Sequence, residues 1–317
     1  MDDAFGVPAA PDHGGMRPTD LPPELTRGPF TVEAARRAGL STKVLRGRRF
    51  TSPHRGVHRL ATGDGDFRMA VHAARLVLPP GTLATGVTGL QLHGVEIGDV
   101  APLHFVTTHP GPIRRPTLRV TRVSVLPEAW DEVVVVPEHC WLVAALDLNL
   151  LDLVIAADWL LRLRLLNLRT LESYVVASRS RGSGTARRAI GLVRERVDSP
   201  RETWLRLCLV LAGLPTPDCN PTIRGDGVSW RVDLVYRGFR IVIEYEGDQH
   251  RTDRNQWNRD IDRQEDFARD HWTPIRITSE RARWPRQVVH AVYRALRANG
   301  YDGPAPEFGE FWVSLFE

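Results

Sequence analysis

Residues 231–250 read RVDLVYRGFRIVIEYEGDQH, and this stretch decides how the rest of the chain is interpreted. Two β-prone runs flank Arg237-Gly238, and this pattern predicts two strands joined by a tight turn. Successive side chains of a strand point to opposite faces. In the first strand, Asp233 is therefore expected to point away from three residues that share the other face: Val232, Leu234 and Tyr236.

The second strand carries two carboxylates on one face. Glu244 and Glu246 are expected to project together, away from Ile241, Ile243 and Tyr245. With Asp233 on the neighbouring strand, three carboxylates crowd one hairpin, and burying a carboxylate without a partner is strongly unfavourable. Carboxylate oxygens suit Mg²⁺ or Mn²⁺, so a divalent cation would relieve the repulsion. The hairpin therefore predicts a metal site.

Composition narrows the class of protein. The length of 317 residues suggests two or three domains, and 42% hydrophobic with 25% charged residues is ordinary for a soluble protein. The three cysteines have no CxxC spacing, which argues against a zinc site or disulfide framework and fits a reducing cytoplasm. No signal peptide is recognisable, and charges interrupt the longest apolar region, 141–166. We therefore expect a cytoplasmic protein without a membrane span.

A basic region lies near the N-terminus. Residues 27–60 hold nine Lys plus Arg against one acid, Glu33, while the whole chain has a net charge of +4. Such a concentrated patch indicates a polyanionic partner, most simply nucleic acid. The alternative is a small capping domain with a solvated basic face.

The same region has the pattern of a winged helix-turn-helix over 27–62. Thr31 is expected to cap a helix at 32–38, Ser41 a second helix at 42–48, and residues 50–60 to form a β-ribbon turned at 53–56. In this motif the second helix enters the major groove and the flanking cations hold phosphates. The residues predicted to contact nucleic acid here are Lys43, Arg46, Arg48, Arg49 and Arg55.

The remaining chain divides into four further segments. We predict a flexible arm at 1–26, a mixed α/β middle region at 63–198, a domain at 199–300 and an aromatic tail at 301–317. The 199–300 domain has the order helix, strand, strand, helix, strand, helix. The expected fold class is α/β (α+β), with a restriction-endonuclease-like αββαβα core at the C-terminus.

Several spaced motifs in 199–299 resemble known nucleases. Asp233, ten residues and then Glu244-Tyr245-Glu246 resemble the core motif of the PD-(D/E)XK superfamily. Within this superfamily, the chain is more similar to the very-short-patch-repair (Vsr-like) endonucleases. The motifs that carry this similarity are the Val232-Asp233 strand, His250 after the acidic strand, and Asp260-Ile261-Asp262-Arg263 on a helix before the strand Ile275-Arg276-Ile277-Thr278. Residues 30–60 resemble the winged-helix part of abortive-infection-type antitoxins. Position 246 departs from the usual pattern, since the superfamily typically has lysine there.

The resemblance implies an Mg²⁺- or Mn²⁺-dependent DNA endonuclease or nickase. Asp233, Glu244 and the Tyr245 carbonyl would hold the cation, which polarises the scissile phosphate and lowers the pKa of bound water. Glu246 would complete a second metal site or orient the water, and His250 would act as general base or acid. The remaining roles are an outer carboxylate from Glu202 and either a phosphate contact or a structural ion pair from Arg263.

Two alternatives stand beside the nuclease. The first is a non-catalytic DNA-binding regulator of antitoxin type with a degenerate nuclease domain, which the missing lysine favours. The second is an interaction module whose aromatic tail docks on a partner or on the chain itself. The sequence leaves the oligomeric state open, a homodimer included. It also leaves open a role in DNA repair, in phage defence or in mobile-element processing.

Overall fold

The computed structural model describes residues 21–61, 66–224, 229–246 and 265–317. Helices and sheets of mixed strand direction make up these residues, so the predicted α+β class is confirmed. The chain divides into two compact units, with the division between Pro80 and Gly81. Within the described residues, no helix is long and apolar enough to cross a membrane.

The first unit is built from short helices and a three-stranded antiparallel sheet. Its elements are α1 (Pro23–Thr26), β1 (Phe30–Thr31), α2 (Val32–Arg37), α3 (Thr42–Leu45), β2 (Phe50–His54), β3 (Val57–Leu60) and α4 (Phe67–Arg75). The sheet order is β1-β3-β2. A small apolar core holds them together: Leu25, Phe30, Ala35, Leu40, Leu45 and Phe50.

Both predicted N-caps of this unit are confirmed. The hydroxyl of Thr31 accepts from Ala34 N at 3.1 Å, and the hydroxyl of Ser41 accepts from Val44 N at 3.4 Å. The second helix ends at Leu45, however, so its predicted extension to residue 48 is wrong. Helix, turn, helix and ribbon follow in the expected order, while the winged helix-turn-helix itself stays a prediction.

The second unit begins with a small sheet and five helices. Its first elements are β4 (Leu83–Ala84), α5 (Gly86–Leu92), β5 (Leu103–Thr107), β6 (Leu118–Arg122), α6 (Pro137–Ala144), α7 (Leu150–Arg162), α8 (Leu168–Ala177) and α9 (Ser183–Ile190). The sheet order is β4-β5-β6, with β5 parallel to β6. The regular strand β6 ends at Arg122. Asp131 accepts from the backbone N–H groups of Val133 and Val134, and this local turn competes with an extended strand.

The second half of this unit contains a four-stranded mixed sheet. Its elements are α10 (Pro200–Val210), β7 (Asp218–Cys219), β8 (Thr222–Arg224), β9 (Ser229–Arg231), β10 (Leu234–Tyr236), β11 (Ile241–Glu246), β12 (Thr273–Thr278), α11 (Pro285–Ala298) and α12 (Glu310–Phe316). Residues 265–269 are helical. The sheet order is β12-β11-β10-β7, in which β10 is antiparallel to β7 and β11, and β11 is parallel to β12.

The predicted hairpin is confirmed, with two corrections. The connection is a 3₁₀ turn at Arg237–Phe239 followed by Arg240 at φ 50°, instead of a two-residue turn. Val232 does not share a face with Leu234, because β9 ends at Arg231 and the chain bends before β10 begins. Val232 packs instead in a small cluster with Val235 and other residues: Ile223, Val242 and Phe267.

A buried ion pair joins α7 to α10. Both side chains of Asp158 and Arg206 are 1% exposed, and their Oδ2 and Nη2 atoms lie 2.7 Å apart. The domain boundary predicted near residues 198–200 lies inside the second unit, between the two elements that this pair connects.

The aromatic tail packs on its own chain. Trp312 of α12 is 2% exposed, and its Nε1 donates to the carbonyl of Cys208 at 3.0 Å. Phe308 and Phe316 pack against the same core, and Arg286 forms an ion pair with Glu317. Of the two docking modes predicted for the tail, the structure contains the intramolecular one.

Candidate functional site

The sheet register places two of the predicted acidic residues at the same end of the sheet. Leu234 pairs with Ile243, so Asp233 and Glu244 follow as the next residues on adjacent strands. Ile241 and Ile243 belong to the main core of the second unit, while Val242 packs in the small cluster on the opposite face. Since side chains alternate, Glu244 and Glu246 lie on the Val242 face, as predicted.

Asp233 is held against the backbone of the neighbouring strand. Its Oδ2 accepts from Tyr245 N at 2.7 Å, and its carbonyl accepts from Asn220 N at 2.7 Å. Because Asp233 lies just before β10, its carboxylate binds the N–H of β11 where the regular ladder has stopped. This bond fixes the orientation of the carboxylate beside Glu244.

Glu246 has a cationic partner that the sequence reading missed. Arg276 lies opposite Glu244 in the parallel β11–β12 register, and its Nη1 is 3.0 Å from Oε1 of Glu246. Both side chains are partly exposed, so the pair itself stabilises the fold by about 0–1 kcal/mol. The sequence contained a signal for the position of Arg276, because alternation in Ile275-Arg276-Ile277 puts its side chain on the face opposite the core. The ion pair relieves part of the repulsion that suggested a cation.

The carboxylate of Glu202 is buried and accepts two hydrogen bonds. Glu202 is 7% exposed, and its Oε2 accepts from Asp198 N at 2.9 Å and from the side-chain amide of Asn220. Its own N–H is capped by the hydroxyl of Ser199 at 3.2 Å. Since Asn220 N also donates to the Asp233 carbonyl, this network ties α10 to the residue that carries the first carboxylate. Glu202 therefore positions the Asp233 segment through Asn220.

Asn220 is a second residue that the sequence reading missed. It is 8% exposed and adopts φ 46°, a left-handed conformation that asparagine tolerates better than most residues. The Asn-Pro dipeptide at 220–221 is a turn signal, but its link to Glu202 depends on tertiary contacts.

Tyr245 contributes its backbone to this face. Its side chain packs towards the main core, opposite Glu244 and Glu246. The guanidinium of Arg201 lies 5.6 Å from the ring centroid and donates to the phenol oxygen at 3.2 Å. Only the backbone carbonyl is therefore suited to the ligand role predicted for Tyr245.

The acidic residues of this sheet offer a small donor set for a divalent cation. In the described part of the chain, no group of three or more His, Cys, Asp and Glu side chains is placed to hold a metal ion. Asp233 and Glu244 nevertheless supply two neighbouring carboxylates, and Mg²⁺ is commonly bound by one or two carboxylates with water completing the shell. The residues present fit a cation of this kind. Three predicted residues lie outside the described residues: His250, Asp260 and Arg263.

The cations predicted to contact nucleic acid are accessible in the first unit. Lys43, Arg46, Arg48 and Arg55 are exposed, and Arg49 is partly exposed. None of these five side chains forms an ion pair with another described residue. They are therefore available to an anionic partner, and DNA binding stays a prediction.

Comparison with known proteins leaves the family open. No family model and no solved structure matches the chain. The chain is similar to uncharacterized proteins from two strains of Mycobacterium tuberculosis, at 29% identity over 129 residues. The match covers 40% of this chain, and the chain spans about half of each relative, 48% of its length. The fold thus defines an α+β protein, and Asp233 and Glu244 lie at the same end of its four-stranded sheet.

Proposed function

We propose that this protein is a metal-dependent DNA endonuclease or nickase. The observation that carries the proposal is the position of Asp233, just before β10, next to the strand β11 that carries Glu244, with the Asp233 carboxylate accepting from Tyr245 N. Two oriented carboxylates at the end of a sheet are the ligand type that Mg²⁺ or Mn²⁺ uses in phosphodiester hydrolysis.

The sheet topology supports the same proposal. A helix, α10, precedes an antiparallel run of β7, β10 and β11, and β12 then joins β11 in parallel. The resemblance to PD-(D/E)XK nucleases implies a helix followed by a mixed sheet in this order. The additional strand β7 extends the expected αββαβα core without changing the positions of the acidic strands.

Each residue of the site has a role in the proposed reaction. Asp233, Glu244 and the Tyr245 carbonyl would hold the cation, which would supply Lewis-acid activation of the phosphate and of a water molecule. Arg276 holds Glu246 at 3.0 Å and places a guanidinium on the carboxylate face, where it can neutralise phosphate charge. Glu202 and Asn220 keep the Asp233 segment in place.

DNA is the substrate proposed for this site because of the charge of the first unit. The exposed cations Lys43, Arg46, Arg48 and Arg55 are suited to phosphate contacts, which dominate affinity for DNA. DNA repair and phage defence are both compatible with this activity.

A cleavage assay tests the proposal. Wild-type protein is incubated with supercoiled plasmid and with single-stranded DNA in Mg²⁺, Mn²⁺ or EDTA. We expect metal-dependent nicking or cleavage, lost in Asp233→Asn and Glu244→Gln. Glu172→Gln, an exposed carboxylate of α8, is the matched control and should retain full activity. Wild-type inactivity on both DNA forms, or full activity in both site variants, would refute the proposal.

The Glu246–Arg276 pair favours a second candidate, a non-catalytic DNA-binding regulator of antitoxin type. An acid that is ion-paired at the usual lysine position is what a degenerate nuclease domain would contain. This candidate predicts salt-sensitive binding to a particular operator without cleavage. Binding should be lost in Arg46→Glu/Arg48→Glu, and cleavage by the wild type would exclude the candidate.

A further inference from the structure

A shallow cavity lies at the start of α11. Its volume is about 380 Å³, and its lining includes Glu280, Arg281, Trp284, Gln287, Ala291 and Arg294. We call these residues the Trp284 surface. It combines an aromatic ring, two guanidinium groups and an amide, with Glu280 as the acid among the lining side chains.

Trp284 is unusually exposed for its size. Its exposed fraction is 61%, although tryptophan is normally highly buried. The residue has a fixed position, since its N–H donates to the Arg281 carbonyl at 3.0 Å and the buried Pro285 follows it. An indole held at the surface beside cations presents a face on which a planar group can stack.

The cations of this surface are accessible. Arg281 and Arg294 are exposed, and so is Arg283, in the turn between Arg281 and Trp284. None of these arginines forms an ion pair with another described residue. Arg281 is nevertheless anchored, because its Nη1 donates to the Arg276 carbonyl at 2.7 Å and its N–H donates to the Thr278 hydroxyl at 3.2 Å.

These contacts place the Trp284 surface at the same end of the sheet as the carboxylates. Thr278 ends β12 and pairs with Glu246, which ends β11. Arg281 bonds to Thr278 and to the carbonyl of Arg276, the residue whose side chain pairs with Glu246. A polymer that reaches the acidic end of β11 can therefore continue along the arginines that follow β12.

We infer that the Trp284 surface binds single-stranded DNA, with one base stacked on Trp284 and flanking phosphates on Arg281 and Arg294. Base stacking on aromatic side chains combined with cations along the backbone is the usual mode of single-strand recognition. In a duplex both faces of each internal base are covered, so an unpaired base fits this surface better. The inference rests on the proposed function and deepens it, since it names single-stranded or unpaired DNA as the substrate class.

Fluorescence anisotropy of a labelled single-stranded oligonucleotide tests the inference. The full chain is titrated in EDTA, so that binding is measured without cleavage. Trp284→Ala should weaken binding about 5- to 150-fold, which is the range for loss of one stacked base. Trp284→Phe should retain part of the affinity. Trp130→Ala, which removes another exposed tryptophan at 51% exposure, is the matched control and should bind like the wild type.

Further binding measurements with other variants and other polyanions identify the ligand. Arg281→Gln should lower the slope of log affinity against log salt by about 0.7, as expected for one single-strand phosphate contact. Affinity for a blunt duplex should not change in Trp284→Ala. An equal loss for duplex, tighter binding of the matching ribo-oligonucleotide, or binding of poly-glutamate that needs Arg281 but not Trp284 would overturn the inference.

The outcome is separable from that of the nuclease proposal. Asp233→Asn should abolish cleavage and leave the dependence on Trp284 unchanged. If the wild type cleaves no DNA but its single-strand affinity falls in Trp284→Ala, the surface assignment stands and the nuclease proposal fails. If cleavage occurs and Trp284→Ala leaves both affinity and cleavage unchanged, the surface assignment alone fails.

Discussion

Replacement of Arg206 by methionine should strongly destabilise the second unit. Asp158 and Arg206 are both 1% exposed, so the change leaves a carboxylate in the core without its 2.7 Å cationic partner. Removal of one member of a buried pair costs about 3–5 kcal/mol. Asp158 keeps two hydrogen bonds, from the Thr203 hydroxyl and from Arg194 N, both at 2.8 Å. We therefore expect the lower end, about 3 kcal/mol.

The loss of stability caused by Arg206→Met should become smaller as pH falls. Burial raises the pKa of Asp158, and Arg206 lowers it, so the variant removes the lowering effect and the pKa rises further. As pH falls, Asp158 of the variant takes up a proton before the wild type does, and the buried charge disappears. The destabilisation relative to wild type should therefore be larger at pH 7.5 than at pH 5.

Urea unfolding followed by tryptophan fluorescence measures these differences. Asp158→Asn/Arg206→Met should be more stable than the sum of the two single changes predicts, because it buries no charge. Arg162→Met is the matched control, since Arg162 forms a partly exposed ion pair with Asp198 and should cost less than about 1 kcal/mol. A cost below about 1 kcal/mol for Arg206→Met, or full additivity in the double variant, would refute the reasoning.

Three further predictions concern other parts of the chain. Burial lowers the pKa of His139 to about 4, so the stabilising effect of its neutral form should be intact above pH 6.5. As pH drops towards 4, the free energy of unfolding should fall by up to about 3 kcal/mol. Urea unfolding measures this fall, with His139→Gln as the reference. Gly89→Ala should cost about 1–3 kcal/mol in thermal unfolding, because the new Cβ would collide with Cys140 Sγ. Arg46→Gln/Arg48→Gln should lower the salt slope of duplex DNA binding by about 1.8, if both side chains contact phosphate.

One pH measurement and two control variants define the results that would contradict these three predictions. Stability that is flat between pH 6.5 and 4.5 would show that His139 does not titrate in this way. Gly184→Ala, whose Cβ meets no atom within 4 Å, should be tolerated, and an equal loss there would remove the steric argument for Gly89. Arg37→Gln, which alters an exposed cation paired with Glu33, should leave the salt slope nearly unchanged.

Local patterns predicted the parts of the fold that depend on local chemistry. The alternation around Ile241 and Ile243 placed the acidic face of β11, and the hydroxyls of Thr31 and Ser41 marked two helix starts. The α+β class follows from the same patterns. These features need only neighbours along the chain, so the sequence contains enough information to predict them.

The remaining features depend on contacts between distant residues. Val232 changes face because β9 and β10 belong to different sheets, and strands of two or three residues are too short to show periodicity. Glu246 pairs with Arg276, and Glu202 bonds to Asn220. Both partners come from other parts of the second unit. Their types were visible in the sequence, but nothing in local spacing assigned them to these carboxylates.

The packing of Trp312 has a consequence for the order of folding during synthesis. The indole of this residue completes the core around Cys208, 104 residues earlier in the chain. Contacts of such long separation form late, because the intervening chain must first be ordered. On a ribosome, which synthesises the first unit before the second, the first unit can fold early while the main core of the second stays open until Trp312 has emerged. The nascent face of the sheet that carries Ile241 and Ile243 would meanwhile be exposed to chaperones.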